Sequence, residues 1–171
     1  SKYKSSTAST LYKDFETIVK VEDYKDLLRD LKKEATVYQH ISNPSREAFE
    51  NKKQYFFLVQ ILSVFNAYFS VIQVRVPLLA LFYAKERGLI KLGKLEKVAK
   101  YLEGFHFVYN SVMSKSPNRI EPIYSKFSVA LRKCGNPNDA ENVIQDKLIT
   151  QLDQLFPKFD DDYLKRLILL A

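Results

Sequence analysis

Three polar–proline breaks punctuate a chain whose apolar residues otherwise recur at helical spacing: Asn43-Pro44, Ser116-Pro117 and Asn136-Pro137. A Ser or Asn side chain can accept from the free N–H groups that open a helix, and proline tolerates the first helical turn because its missing N–H would have no partner there. Each break therefore reads as one helix ending and another starting. Glycine occurs only 4 times in 171 residues, although tight hairpins lean on it for positive-φ turns. The combination leaves little room for a sheet and predicts an all-α fold.

The periodicity agrees. Leu11 to Lys20 places Leu11, Phe15 and Ile18 on one face, and Val21 to Ile41 carries Tyr24, Leu27, Leu28, Leu31, Ala35 and Tyr38 at i, i+3, i+4, i+7 spacing, with charged residues opposite. A helix is expected from Pro44, capped by Asn43, to Phe65, a turn at Asn66 to Ser70, and a further helix over 71–87, starting properly near Pro77 and stopped by Gly88. The β-branched and aromatic content of 55–76 keeps a strand as the lesser alternative there. Lys94 to Ser114 directs Leu95, Val98, Ala99, Leu102, Phe105, His106 and Tyr109 inward, and Ser116 to Lys133 does the same with Ile120, Ile123, Tyr124, Phe127 and Leu131. Asp139 to Leu155 buries Ile144, Leu148 and Leu152, and Asp160 caps a last helix over 161–170 ending in Leu167-Ile168-Leu169-Leu170. Short breaks favour antiparallel neighbours, so the expectation is a single multi-helix domain of about seven to eight helices. Residues 1–10 are polar and read as a disordered lead-in. Residues 11–171 read as one helical domain, a fragment of a longer protein.

Tyr55 to Val74 is twenty residues without a charge, long enough to span a bilayer. Gln60, Ser63, Asn66, Ser70 and Gln73 interrupt it, and polar groups in hydrocarbon are costly, so a buried helix is expected and no membrane contact. A lone cysteine, Cys134, excludes an internal disulfide and a cysteine-based metal site, and suits a reducing, cytoplasmic setting. His40 and His106 stand apart, with no His or Cys three or four residues away, and Asp160-Asp161-Asp162 reads as a helix cap. No Gly-rich phosphate loop is present. The expectation is no catalytic residue, no metal and no cofactor.

Charge is uneven. Residues 75–133 carry a balance of +8 against +2 before them and −3 after. Arg75, Arg87, Lys91, Lys94, Lys97, Lys100, Lys115, Arg119, Arg132 and Lys133 are the candidate contacts to nucleic acid or to a partner. Lys94, Lys97 and Lys100 are spaced to form one ridge able to meet phosphates without reading sequence, against the alternative of a solvated face.

Leu78-Leu79-Ala80-Leu81-Phe82-Tyr83, then Leu95-Glu96-Lys97-Val98-Ala99-Lys100-Tyr101-Leu102-Glu103-Gly104-Phe105, then Ser116-Pro117-Asn118-Arg119-Ile120-Glu121 and a helix with Phe127-Ser128 together resemble the helical middle region of GmrSD-type restriction nucleases. Pro157-Lys158-Phe159-Asp160 resembles the turn that leads onward in that family. The likeness covers about half the chain. Members of that family carry an N-terminal ParB/sulfiredoxin-like, nucleotide-handling domain with an Asp-Gly-Gln-Gln-Arg motif, and a terminal HNH nuclease domain. Neither motif occurs here, so no active residue carries over. The resemblance implies a non-catalytic linker that positions flanking NTP-handling and nuclease domains of a bacterial anti-phage protein, with DNA as a further partner. The alternative is a stand-alone helical module that binds nucleic acid or another protein.

Overall fold

Helical spacing becomes helix along most of the chain. The computed structural model describes residues 9–21, 24–69 and 71–156, and among these there are seven helical rods and no strand. They are α1 (Leu11–Val21), α2 (Tyr24–Ser42), α3 (Phe56–Val64), α4 (Arg75–Glu86), α5 (Leu92–His106), α6 (Glu121–Lys133) and α7, which begins as Pro137–Val143. Three rods run on into wider π turns: α3 through Phe65–Phe69, α5 through Phe107–Val112, and α7 through Ile144–Ile149 before its α-helical end at Thr150–Asp153. No helix among the described residues is long and apolar enough to cross a membrane. The lead-in over 1–8, the turn at Pro157, the Asp160 cap, the helix over 161–170 and the apolar end at Leu167–Leu170 lie outside the described residues.

The breaks work as their chemistry dictates. Asn136 Oδ1 accepts from the Asp139 N–H at 2.9 Å with Pro137 opening α7, and Ser116 Oγ accepts from the Asn118 N–H at 3.4 Å with Pro117 behind it. At the end of α4, Gly88 has φ +72. Its N–H reaches the Lys85 carbonyl (3.0 Å) and the Leu89 N–H reaches that of Ala84 (2.9 Å), a Schellman closure with Leu89 tucked into the core.

The expected helix over 44–65 is shorter than its pattern. The polar half folds as two single turns, Glu47–Phe49 and Lys53–Tyr55, separated by left-handed Glu50 and Asn51 (φ 54 and 55). Ser45 Oγ, rather than Asn43, accepts at the start of this stretch, from the Ala48 N–H. The excursion lets Phe49 plug the core, stacked on Tyr55 at 5.1 Å and facing Phe82 at 6.2 Å. Burying one such ring is worth about 1.5–3 kcal/mol, which offsets much of the roughly 1–2 kcal/mol that each left-handed residue costs.

The body is an up-and-down bundle. Lys94 pairs with Glu141, and Tyr101 donates to Asp153, so α5 and α7 run the same way and α6 returns between them. α4 packs most extensively on α6 and also on α2 and α5, while α3 lies on α5. Leu58, Leu62, Leu78, Leu81, Leu95, Leu102, Tyr124, Phe127 and Leu131 form the sealed interior. α2 departs from expectation. Leu27 and Ile41 are buried, but Tyr24, Leu28, Leu31 and Tyr38 are exposed, because α2's apolar arc is wider than the body that covers it.

Candidate functional site

Three places concentrate polar chemistry: the interior around His106, the groove where α2 meets α4 and α6, and the basic residues of 75–133.

His106 ends the regular part of α5 and is fully buried. Asn110, one π turn on, donates through Nδ2 to the Lys115 carbonyl at 2.9 Å, which turns its Oδ1 toward the ring. His106 Nδ1–H therefore donates to Asn110 Oδ1 (2.6 Å), and the Tyr124 O–H from α6 donates to Nε2 (2.7 Å). Phe65 and Phe105 meet the imidazole edge-on, with ring centroids 6.1 and 5.5 Å away. Burial pushes His106 below the ordinary histidine range, which the Asn110 bond partly offsets, and burial holds Tyr124 well above the ordinary phenol range. The pair is neutral and each ring nitrogen is engaged. Its evident work is to tie the π turn of α5 to α6.

The groove has a volume of about 520 Å³. Phe15, Leu27, Leu31 and Leu79 give it an apolar wall. Across it Arg132 of α6 grips Glu34 of α2 with two bonds, 2.6 and 2.7 Å. Tyr83 lies under both the Arg132 and Arg87 guanidinium groups (4.8 and 5.5 Å to the ring centroid). Arg87 also donates to the Cys134 carbonyl at 3.1 Å, closing the ends of α4 and α6 together. The Cys134 thiol is buried, which raises its pKa. The sequence reading missed the Glu34 clamp, yet a signal existed. Glu34 stands one helical repeat from Leu27 and from Ile41, a carboxylate on a packing face, and such a group calls for a cation.

Of the ten candidate basic residues, five have structural partners. Arg75 donates to Tyr38 Oη (2.9 Å) and to Asn66 Oδ1 (3.3 Å), pinning α2 to the α3–α4 junction, and its hydrogen bond, with its charge, lowers the Tyr38 pKa. Arg87 and Arg132 serve the groove wall as described. Lys94 pairs with Glu141, and Lys100 with Glu103 at 2.9 Å, so the ridge of Lys94, Lys97 and Lys100 leaves only Lys97 outside an ion pair. Lys91, Lys97, Lys115, Arg119 and Lys133 are exposed. They do not converge: Arg119 and Lys133 bracket α6, about 20 Å apart at 1.5 Å of rise per residue. No three His, Cys, Asp or Glu side chains gather to hold a metal among the described residues.

Compared with family models, curated proteins and solved structures, the chain matches none.

Proposed function

We propose that this chain is a helical scaffold, the middle region of a GmrSD-type restriction nuclease, holding NTP-handling and HNH nuclease domains of a larger polypeptide in a fixed relation. The observation that carries the reading is the use made of the interior polar groups. His106, Tyr124 and Asn110 are occupied with one another and with the chain, and the Arg132–Glu34 clamp joins two helices. Such arrangements stiffen a body that transmits position. The mechanism is geometric: rigid rods fix the distance and angle between what is attached to them.

The test has two arms. The coding sequence on either side supplies an Asp-Gly-Gln-Gln-Arg motif upstream and a His-Asn-His cluster downstream if the reading is right. The 171-residue chain itself, given Mg²⁺ or Mn²⁺, NTP and either plain or modified DNA, neither cuts DNA nor hydrolyses NTP. Metal-dependent cleavage by this chain contradicts the scaffold.

A second reading rests on exposed Lys91, Lys97, Lys115, Arg119 and Lys133: a nucleic-acid-binding module. Duplex binding that weakens steeply with salt favours it, and no binding at low salt removes it.

A further inference from the structure

The outer side of α6 carries a row of cations. Inward, Ile120, Tyr124, Phe127 and Leu131 are sealed in the core. Outward, Arg119, Lys126 and Lys133 are all exposed and follow one another at steps of seven residues. Seven residues at about 100° each fall about 20° short of two full turns, so the three side chains share one side of the rod. Arg119 precedes α6, in the single turn Pro117–Arg119. Ile120 nevertheless has helical φ and ψ (−83 and −36), and its carbonyl accepts from the Tyr124 N–H at 3.0 Å, so the row is continuous. Neighbours in it stand about 10 Å apart at 1.5 Å of rise per residue, with Lys126 midway along the roughly 20 Å between Arg119 and Lys133. The charges do not meet at a point; they form a line.

No acid among the described residues pairs with any of the three. Glu121, the one acid of α6, lies about 140° round the helix from Lys126. On neighbouring α7, Asp139 accepts from Asn136 Nδ2 at 2.7 Å, Glu141 is held by Lys94 and Asp153 by Tyr101. Asp146 is exposed and forms no ion pair with the row. The row thus differs from Lys94 and Lys100, which are neutralised in pairs, and from Arg75, Arg87 and Arg132, which are committed to the fold.

The surroundings narrow the partner. α6 contributes no exposed large apolar side chain, so it has no anchor to sink into a lipid surface and no ring on which to stack the bases of a single strand. An acidic protein would have to place its carboxylates in the same spacing of about 10 Å, whereas a phosphate backbone presents charge continuously and meets such a line in any register. We infer that Arg119, Lys126 and Lys133 form a contact line for the phosphate backbone of duplex nucleic acid, binding without reading sequence. The inference rests on the nucleic-acid reading above and deepens it by naming the surface and adding Lys126.

The probe is a labelled DNA duplex of about 20 base pairs, titrated against the 171-residue chain at a series of salt concentrations. Each neutralised phosphate adds about −0.9 to the slope of log K against log salt, so the row supplies about −2.7 of the parent's slope. Arg119→Gln with Lys126→Gln and Lys133→Gln removes that share and weakens binding at low salt by at least about ten-fold. Lys53→Gln with Lys91→Gln and Lys97→Gln, which removes as much exposed charge elsewhere, changes the slope by less than about one unit. Lys126→Arg with Lys133→Arg keeps the parent's slope and gives the answer in a fully charged chain should the triple variant misfold. The same strand without its complement binds more weakly. No duplex binding by the parent at low salt overturns this proposal and the nucleic-acid reading together. Duplex binding whose slope survives in the row variant, or is lost in the Lys53, Lys91 and Lys97 variant or in the arginine variant, overturns the proposal and leaves that reading standing. Tighter binding to the single strand overturns it as well.

Discussion

α6 and α2 are both amphipathic, and both lie against α4. α6 buries Tyr124, Phe127 and Leu131 and sends a serine hydroxyl to the Val76 carbonyl at 3.2 Å. α2 buries Leu27 and Ile41, reaches the body through Glu34 and Tyr38, and leaves Tyr24 and Leu28 mostly in water. The contrast separates two uses of one sequence pattern. Where helices surround a helix, its apolar arc becomes interior and supplies stability. Where the body stops short, the remaining arc is surface and adds little to stability.

The largest effect belongs to the interior. Phe127→Ala removes a fully buried ring of α6 and should cost about 3–5 kcal/mol in urea unfolding, against a change within about 0.5 kcal/mol for Leu28→Ala on the exposed side of α2. A comparable loss at both sites would erase the distinction. Next comes the interior polar pair. Tyr124→Phe leaves His106 Nε2 without its donor in a dry site and should cost about 1–3 kcal/mol.

The same pair sets a pH dependence. The folded pKa of His106 lies below its ordinary 6.5, so the unfolded chain takes up the proton first. Its contribution is complete above that value and is lost as pH falls from it toward the folded pKa. The fall in stability between pH 7.5 and 5.5 should therefore be shallower in His106→Gln than in the parent. An equal slope would mean that the imidazole is not shielded.

Between the two regions stands the clamp. Arg132→Met should cost about 1.5 kcal/mol, because the pair is partly buried and bidentate. A double-mutant cycle with Glu34→Gln should assign most of that loss to the pair. The smallest expected loss is at Gly88→Ala. Nothing lies within 4 Å of an added Cβ, so only the left-handed φ of +72 is penalised, by about 1 kcal/mol.

Much of the body was legible because local chemistry and burial agree there. Gly88 stops α4 as read, Asn136-Pro137 starts α7, Ser116-Pro117 opens a single turn before α6 begins at Glu121, and the inward rows of α5, α6 and α7 are buried, His106 included, with Ile123 alone among them half-buried. The π turns were not legible, since shifting a helix by one residue leaves the four-residue spacing of Ile144, Leu148 and Leu152 intact. Residues 44–55 misled because a polar run of helix formers carries no mark of where the chain must swing to insert Phe49. On α2 periodicity placed the apolar arc, but how much of an arc is covered depends on neighbours distant in sequence. The charge excess of 75–133 was visible, whereas its division into clamps and free lysines depends on acids such as Glu34 and Glu141 that are remote in sequence.

Residue-resolved native-state hydrogen exchange tests the division between sealed body and open arm most directly. Amides of α6 should exchange only by unfolding of the whole molecule, while those of α1 and of Tyr24 to Leu31 in α2 exchange through smaller openings. Uniform protection across α1, α2 and α6, or an α6 that opens before α2, would contradict it.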